Sequence, residues 1–507
     1  MLKQKFLIDF GAKFSIYLFT ALTGIIVARI AGPQVVGTIS YATSYVSIFL
    51  FITGLFGTGY IKIVSEGENE ADSFATYSWL FGFSLFIYFI IVLGFYLYQK
   101  FLLGYKFENH DVELVIIITL CATVIGNLYQ FCQTIFIARI EQAKANLPNF
   151  LKAIIYNLLR IMVVISGMGA IALASVNLLS ALLVLPLVIF LFHKIKFGKF
   201  CNKLAKRIYS ISIPFFLINI VQSLMMYSDK LILGHFASAK EIGLYTTAYS
   251  IGGMLILLGN TAGTVFFPLF SSFFTRNEFD QVKKRIYQFE RFIFNFILPV
   301  IITLSLFAYP VLITLLGRRY ELSVPIFSLL VFSSFFIIWG MPYGNVLSGL
   351  GLFWLSTFIY FVQFAIFLIT LIIFIHPHLF NLGALALAIT QVVINLYLFI
   401  SFYYSAWKKI KVHFIKRQIK YIFMGVIIYY VSYFFLLPTI KTISIYIQSF
   451  IIAPVFLLIY YLIEYFLGLL NKSDLQMLLQ LIDPKLSLKY VNEEFKNHSH
   501  NEPSSGL

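Results

Sequence analysis

Apolar residues run in blocks of twenty or more from near residue 10 to near residue 470, broken by short polar turns. About 20 apolar residues in a helix cross the hydrocarbon core of a bilayer. Fourteen blocks reach that length: 10–31, 36–61, 76–98, 112–138, 148–169, 171–192, 208–233, 242–268, 291–313, 324–348, 352–375, 380–406, 419–438 and 443–470. The fifth and sixth are nearly continuous and divide at Gly167–Ala170. The pattern predicts an all-α polytopic membrane protein of about fourteen transmembrane helices. Beyond Leu470 the chain turns polar. Ser473 and Gln476 have capping-box spacing before a short helix (DLQMLLQLI), and disorder is expected from Asn492 onward.

Two stretches of this pattern coincide when shifted by 206 positions. Val27–Ser44 reads VARIAGPQVVGTISYATS, and Ala31, Gly37, Ala42 and Ser44 fall on Ala237, Gly243, Ala248 and Ser250 of YSDKLILGHFASAKEIGLYTTAYS, Tyr227–Ser250. Each sits at the same place in a helix–turn–helix hairpin. Six spans precede the repeat point, so both halves start on the same side, and a pseudo-two-fold along the membrane normal is expected. The expected division is a six-helix lobe at 1–193, a basic linker at 194–207, a second six-helix lobe at 208–406, an extra transmembrane hairpin at 407–470 and a tail at 471–507.

Charge changes the picture in two ways. Only 11% of residues are charged and 60% are hydrophobic, whereas soluble domains carry about 25% charged residues. The formal net charge of +16 would suggest nucleic acid in a soluble protein. Here it follows topology: with the N-terminus inside, 28 of the 37 Lys and Arg residues fall on the inner side and 7 on the outer, leaving Arg160 and Lys230 within spans. That is the positive-inside bias. It is expected to place both termini in the cytoplasm, and it removes nucleic acid as a partner. Lys3, Lys5 and Lys13 precede an apolar segment without a convincing cleavage site, so the first span is expected to be an uncleaved anchor. Cys121, Cys132 and Cys201 have no disulfide or metal spacing.

The informative residues are polar ones inside spans. Charges at mid-bilayer cost about 2.5–3.5 kcal/mol on insertion scales and normally face an interior or a wet cavity. In the fifth span Asn149, Lys152, Tyr156, Asn157 and Arg160 share one helix face. The seventh carries Asn219, Gln222, Ser223, Met226, Asp229 and Lys230. The eighth carries Tyr245, Tyr249, Gly253, Asn260 and Thr264, and the fourth Thr123, Asn127, Gln130 and Thr134. The first offers Tyr17, Thr20, Thr23 and Gly24, then Arg29 at its outer end. Uncharged stripes also serve as interhelical hydrogen-bond glue, Asp229 and Lys230 also suit mutual neutralisation, and Gly259–Gly263 and Gly340–Gly344 have the spacing of close helix packing. As cavity residues, Arg29, Arg160 and Lys230 suit phosphate oxygens, while Tyr, Asn and Gln suit sugar hydroxyls. The candidate cavity set is Arg29, Tyr156, Asn157, Arg160, Asn219, Gln222, Asp229, Lys230, Tyr245, Tyr249 and Asn260. No catalytic residue, metal or cofactor is expected: outer loops are short, and no nucleotide or His/Cys motif occurs.

Three stretches resemble the polysaccharide-unit flippases of the multidrug/oligosaccharidyl-lipid/polysaccharide (MOP) exporter superfamily. ARIAGPQVVGTISYATSY (28–45) is similar to that family's first hairpin and SDKLILGHFASAKEIGLYTTAYS (228–250) to its seventh–eighth hairpin. LLGRRYELSVPIFSLLVFS (315–333) with YGNVLSGLG (343–351) is similar to its ninth–tenth region. The resemblance implies two lobes facing a V-shaped cavity, no covalent chemistry, and a polyprenyl-diphosphate-linked oligosaccharide moved from inner to outer leaflet by alternating access. Membrane lipids and polysaccharide polymerase or assembly proteins are the implied partners. A cation-coupled drug or metabolite antiporter of the same superfamily, a peptidoglycan-precursor flippase, and a non-transport scaffold or polymerase stand as alternatives.

Overall fold

The computed structural model describes residues 2–104, 107, 110–139, 141–193, 195–256, 270–412 and 416–471. These residues are helices joined by short connections, with no strand among them. Eleven helices among them are long and apolar enough to cross a membrane. That number is smaller than the fourteen spans expected, for reasons visible at particular places. The first two spans form one assigned helix, Leu2–Ser47, broken at Gly32 (φ 81, ψ 170) before Pro33. A left-handed φ is open to glycine, and proline can start the following helix because its missing N–H falls where no intrahelical partner exists. The seventh span lies in the long helix Asn202–Phe236, several of whose side chains lie outside the described set. The eighth begins as Ala239–Gly252 and runs on toward residues outside the described set. The capping box at Ser473 and the tail also lie outside the described residues.

Other boundaries follow their local chemistry. The fifth and sixth spans separate after Ile165, where Gly167 takes φ 71 before the helix Ala170–Phe192 begins. Asn69 caps the helix Glu70–Leu97 by accepting from the amides of Ala71 and Asp72, and Glu70 and Asp72 favour its positive end. The two hairpin breaks also correspond. The first falls at Ala31–Pro33 and the second at Ala237–Ser238, where Ala237 is extended (φ −139, ψ 168).

In lipid the helices gain little from hydrophobicity against one another, so packing and hydrogen bonds fix them. The helix Ser323–Gly349 lies along Ala384–Ile410. A Cβ added at Gly340 would stand 3.4 Å from Phe399 Cα, and one at Gly344 would stand 3.1 Å from the Phe402 ring. The spacing of Gly340 and Gly344 is therefore a packing signal; Gly259 and Gly263 lie outside the described residues. Around that seam Trp339 stacks on Phe399 at 4.1 Å and meets Phe294 edge-on at 5.0 Å. The final hairpin, Gln418–Ile440 and Ile445–Phe466, contains π-helical turns at Ser432–Leu436 and Gln448–Ile452. Tyr421 ties it to the preceding helices by a hydrogen bond to Asn295, and reaches the chain just beyond the hairpin by one to the Leu469 carbonyl.

Candidate functional site

A cavity of about 430 Å³ lies between the two arms of the broken helix Leu2–Ser47, the helix Gln142–Ile165 and the helix Ala239–Gly252. The first arm supplies Tyr17, Thr20 and Gly24, and the second supplies Ser40. Arg160 comes from the third helix; Thr246, Thr247 and Ser250 come from the fourth. Such a volume is in the range of small-ligand sites. Arg160 is its only charged wall residue among the described residues. The guanidinium lies 5.0 Å from the centre of the Tyr156 ring, and no carboxylate pairs with it among the described residues. A cation held over a ring face keeps its N–H donors available for an anion.

Asn157, on the same stripe, is fully buried and turned to the first span. Its carbonyl accepts from the Thr23 hydroxyl, and its amide donates to the Thr20 hydroxyl at 3.1 Å and to the Ala153 carbonyl at 2.8 Å. It joins two cavity walls rather than lining the cavity. This is the interhelical hydrogen-bonding use of a polar residue in lipid.

A second cluster stands on the neighbouring face of the helix Ala239–Gly252. Lys230 Nζ lies 3.0 Å from Asp229 Oδ1, and both carboxylate oxygens accept from it. The ammonium is 6.0 Å from the Tyr245 ring centre and 5.9 Å from that of Tyr249. Asp229 is buried and Lys230 nearly so. Their opposite charges offset each other where neither could be left alone at low cost. Gln222 lines a separate small recess beside Met225 and Tyr360, and Asn219 lies half-buried on the same helix. Asn260 lies outside the described residues.

Arg29 is engaged elsewhere. By the charge bias it sits at the outer end of its span, where it donates to the Thr314 carbonyl at 2.7 Å. There Tyr320 also donates to the Ala28 carbonyl at 3.0 Å, and Arg319 lies against Gly32. The Tyr320 phenol is pushed by burial up to about 12, so it stays a donor through the physiological range. These contacts fasten the first span to the segment TLLGRRY (314–320) of the ninth–tenth connection.

Sequence reasoning overlooked Ser40, Thr246, Thr247 and Tyr320 as site residues. The signal for the first two was available: Ser40 shifted by 206 positions falls on Thr246, and both line the cavity. It also overlooked Glu290, a buried carboxylate that accepts from Trp339 Nε1 at 2.9 Å, from the Tyr343 hydroxyl and from Gln418 Nε2. No local pattern announces that site, because its donors come from helices 49 to 128 residues further on.

Comparison with known proteins gives a consistent answer. A family model described as "polysaccharide biosynthesis protein" matches residues 26–325. A search of curated proteins finds no match in sequence. Among solved structures, the lipid II flippase MurJ in an inward closed conformation aligns over 91% of this chain and 98% of its own, at 16% identity and TM-score 0.71. An inward-facing multidrug resistance MATE family transporter of the MOP superfamily aligns over 78% of this chain and 94% of its own, at 13% identity and TM-score 0.62. A Vibrio cholerae MATE transporter aligns over 81% and 98%, at 15% identity and TM-score 0.51. At these identities the likeness establishes the fold, which is that of the MOP superfamily.

Proposed function

The chain belongs to the polysaccharide biosynthesis protein family and has the MOP-superfamily fold; on that premise we propose that it flips a polyprenyl-diphosphate-linked oligosaccharide from the inner to the outer leaflet of the cytoplasmic membrane. The observation that carries this reading is Arg160. It is a cation without an ionic partner, presented to a cavity whose other polar side chains are hydroxyl-bearing, both among the described residues. A diphosphate suits the guanidinium, and sugar hydroxyls suit Thr20, Ser40, Thr246 and Ser250. The pair Asp229–Lys230 leaves no surplus negative charge for a cationic drug, which argues against the antiporter reading.

We take 1–193 and 208–406 as two six-helix lobes that rock about the cavity, with 407–470 as an added hairpin and both termini cytoplasmic. The present arrangement, fastened at the outer end by Arg29 and Tyr320, corresponds to a state before release. The head group enters from inside and meets Arg160. Lys230 and Asp229, with Tyr245 and Tyr249, provide a further set of contacts as the lobes move. Tyr156 holds the Arg160 guanidinium over its ring, and Asn157 joins the helix that carries Arg160 to the first span. An inside-negative potential assists export of each negative charge by about 2.3 kcal/mol per 100 mV. Outside, the product passes to polysaccharide assembly proteins.

A second reading, a peptidoglycan lipid precursor as cargo, is favoured by one observation. The likeness to the lipid II flippase extends over more of the chain than residues 1–406 contain. Both cargoes are lipid diphosphates and both would use Arg160. The test is a leaflet assay in proteoliposomes with labelled lipid-linked oligosaccharide and, separately, labelled peptidoglycan precursor. Translocation of the first that is lost in Arg160→Ala supports the proposal. Translocation of the second alone replaces the cargo, and translocation of neither, with correctly inserted protein, removes the flippase reading.

A further inference from the structure

A second cavity, of about 570 Å³, opens at the end of the molecule that the charge bias assigns to the cytoplasm. It separates the helix Phe279–Phe292 from the start of the helix Lys416–Val431, the first of the extra hairpin. The former helix is sharply two-sided: Val282, Ile286 and Phe289 are buried, while Lys283, Lys284 and Arg291 face the cavity. Below these cations the two helices are held together. Phe294 stacks on Tyr421 at 5.7 Å, Gln418 donates to Glu290, and Tyr421 donates to Asn295. The cavity therefore has a cationic wall and an aromatic floor: Phe294 lies about ten residues, or about 15 Å, along the helix from Lys284 and one turn beyond Arg291.

We propose that this cavity binds the headgroup of an anionic phospholipid of the inner leaflet, with its phosphate among Lys283, Lys284 and Arg291 and its glycerol and upper acyl carbons along Phe294 and Tyr421. Basic pockets between helices on the cytoplasmic side are suited to such headgroups. Among the described residues of the cavity wall the cations Lys283, Lys284 and Arg291 outnumber the acid Asp280. Asp280 pairs with Lys283 at 3.1 Å but is almost wholly in solvent, where the attraction is weak. Glu290 is buried beneath these cations, where Trp339, Tyr343 and Gln418 all donate to it. The aromatic floor gives the apolar part of a lipid a place that a free anion would leave empty. None of the walls belongs to the Arg160 cavity, so the lipid is a lasting brace between the hairpin and the helices before it, and the inference does not depend on the transported cargo.

The test is native mass spectrometry of the purified full chain from mixed micelles of phosphatidylglycerol, phosphatidylcholine and polyprenyl diphosphate, with thermal unfolding in parallel. Wild type is expected to retain phosphatidylglycerol over phosphatidylcholine. Retention should fall about fivefold for each cation removed in the series K283Q, K284Q and R291Q. Phosphatidylglycerol, but not phosphatidylcholine, should raise the unfolding midpoint of wild type, a readout that needs no variant to fold. Equal retention of the two phospholipids, or undiminished retention in the triple variant, overturns the proposal. Polyprenyl diphosphate held in place of phosphatidylglycerol overturns it too, by making the cavity a cargo subsite.

Discussion

Gly37 and Gly243, matching positions 206 residues apart, lie face to face where the helix beginning at Pro33 crosses the helix Ala239–Gly252. A methyl placed on Gly37 would stand 1.6 Å from the Ala239 carbonyl oxygen, and one on Gly243 would stand 1.8 Å from that of Pro33. Mutual contact between equivalent residues is what a two-fold axis produces where it passes between them. The obstacles are backbone atoms, so no side-chain rotation relieves them. Gly37→Ala and Gly243→Ala should each force the crossing open at a cost of about 1–3 kcal/mol or more. The expected outcome is a lower unfolding midpoint together with faster external thiol labelling of Ser40→Cys, a cavity position. Unchanged labelling in both variants would show that the crossing is not the outer closure.

How far the sequence reaches can be judged from this pair. The shift by 206 positions was readable because both glycines sit at the same distance from a hairpin break, and it extends to Ser40 and Thr246. The stripe containing Arg160 was readable from helical period alone. Period does not say what faces a stripe, however. Asn157 is one position from Tyr156, and a rotation of about 100° per residue turns it from the cavity wall to Thr20 and Thr23. Asp229 and Lys230 are adjacent in sequence, a spacing at which helical side chains do not normally meet. Their 3.0 Å contact depends on the lysine folding back between Tyr245 and Tyr249. Glu290 stood at the edge of what read as a basic inner segment, and its partners exist only once three distant helices have packed.

Asn157→Ala should act on stability before it acts on transport. The substitution removes the bonds from Asn157 to the Thr20 and Thr23 hydroxyls that join two helices. Thr23 keeps the Phe19 carbonyl as acceptor, so the loss is that of interhelical hydrogen bonds, about 0.5–1.5 kcal/mol each. Asn157→Leu fills the space but restores no bond. Both should lower the unfolding midpoint in detergent, whereas a residue that only touched cargo would leave it unmoved.

Arg160 should behave in the opposite way. Among the described residues it has no ionic partner, so Arg160→Ala is expected to preserve membrane abundance and thermal stability while lowering glycan export at least tenfold. Arg160→Lys keeps the charge and loses the bidentate fork, and it should recover part of the rate. Full export by Arg160→Ala would leave the cavity without its proposed anion contact.

At Glu290 the informative comparison is Gln against Ala. Trp339 and Tyr343 donate to one carboxylate oxygen and Gln418 to the other. Glu290→Gln retains one acceptor for the first two, and Gln418 can present its own oxygen to the new amide. Glu290→Ala leaves three donors without an acceptor, each worth about 1–3 kcal/mol when buried and unpaired. The alanine variant should therefore be recovered from membranes at a small fraction of wild-type yield, with the glutamine variant near normal. Equal yields would mean the network contributes little to assembly.

The outer fastening joins Arg29 to the Thr314 carbonyl and Tyr320 to the Ala28 carbonyl, and these two contacts should be coupled because both hold the same turn of the first span. Tyr320→Phe removes one hydroxyl and Arg29→Gln removes the charge-assisted donor. If the contacts act as one unit, either variant alone should loosen the outer end nearly as much as the pair, a non-additivity that a double-mutant cycle measures directly. The pH dependence has a definite sign. Burial raises the Tyr320 phenol from 10.0 to about 12, so the folded protein holds this proton more tightly than the unfolded chain. Its stabilising contribution is complete below about pH 10 and is lost only as pH rises through about 12. External labelling of Ser40→Cys, divided at each pH by the rate of a free thiol because the thiolate is the form that reacts, should accordingly be flat from pH 5 to 9, with Tyr320 and with Tyr320→Phe alike. A wild-type profile that steps within that window, and a variant that does not, would assign the closure to a Tyr320 titrating far below the value its burial dictates.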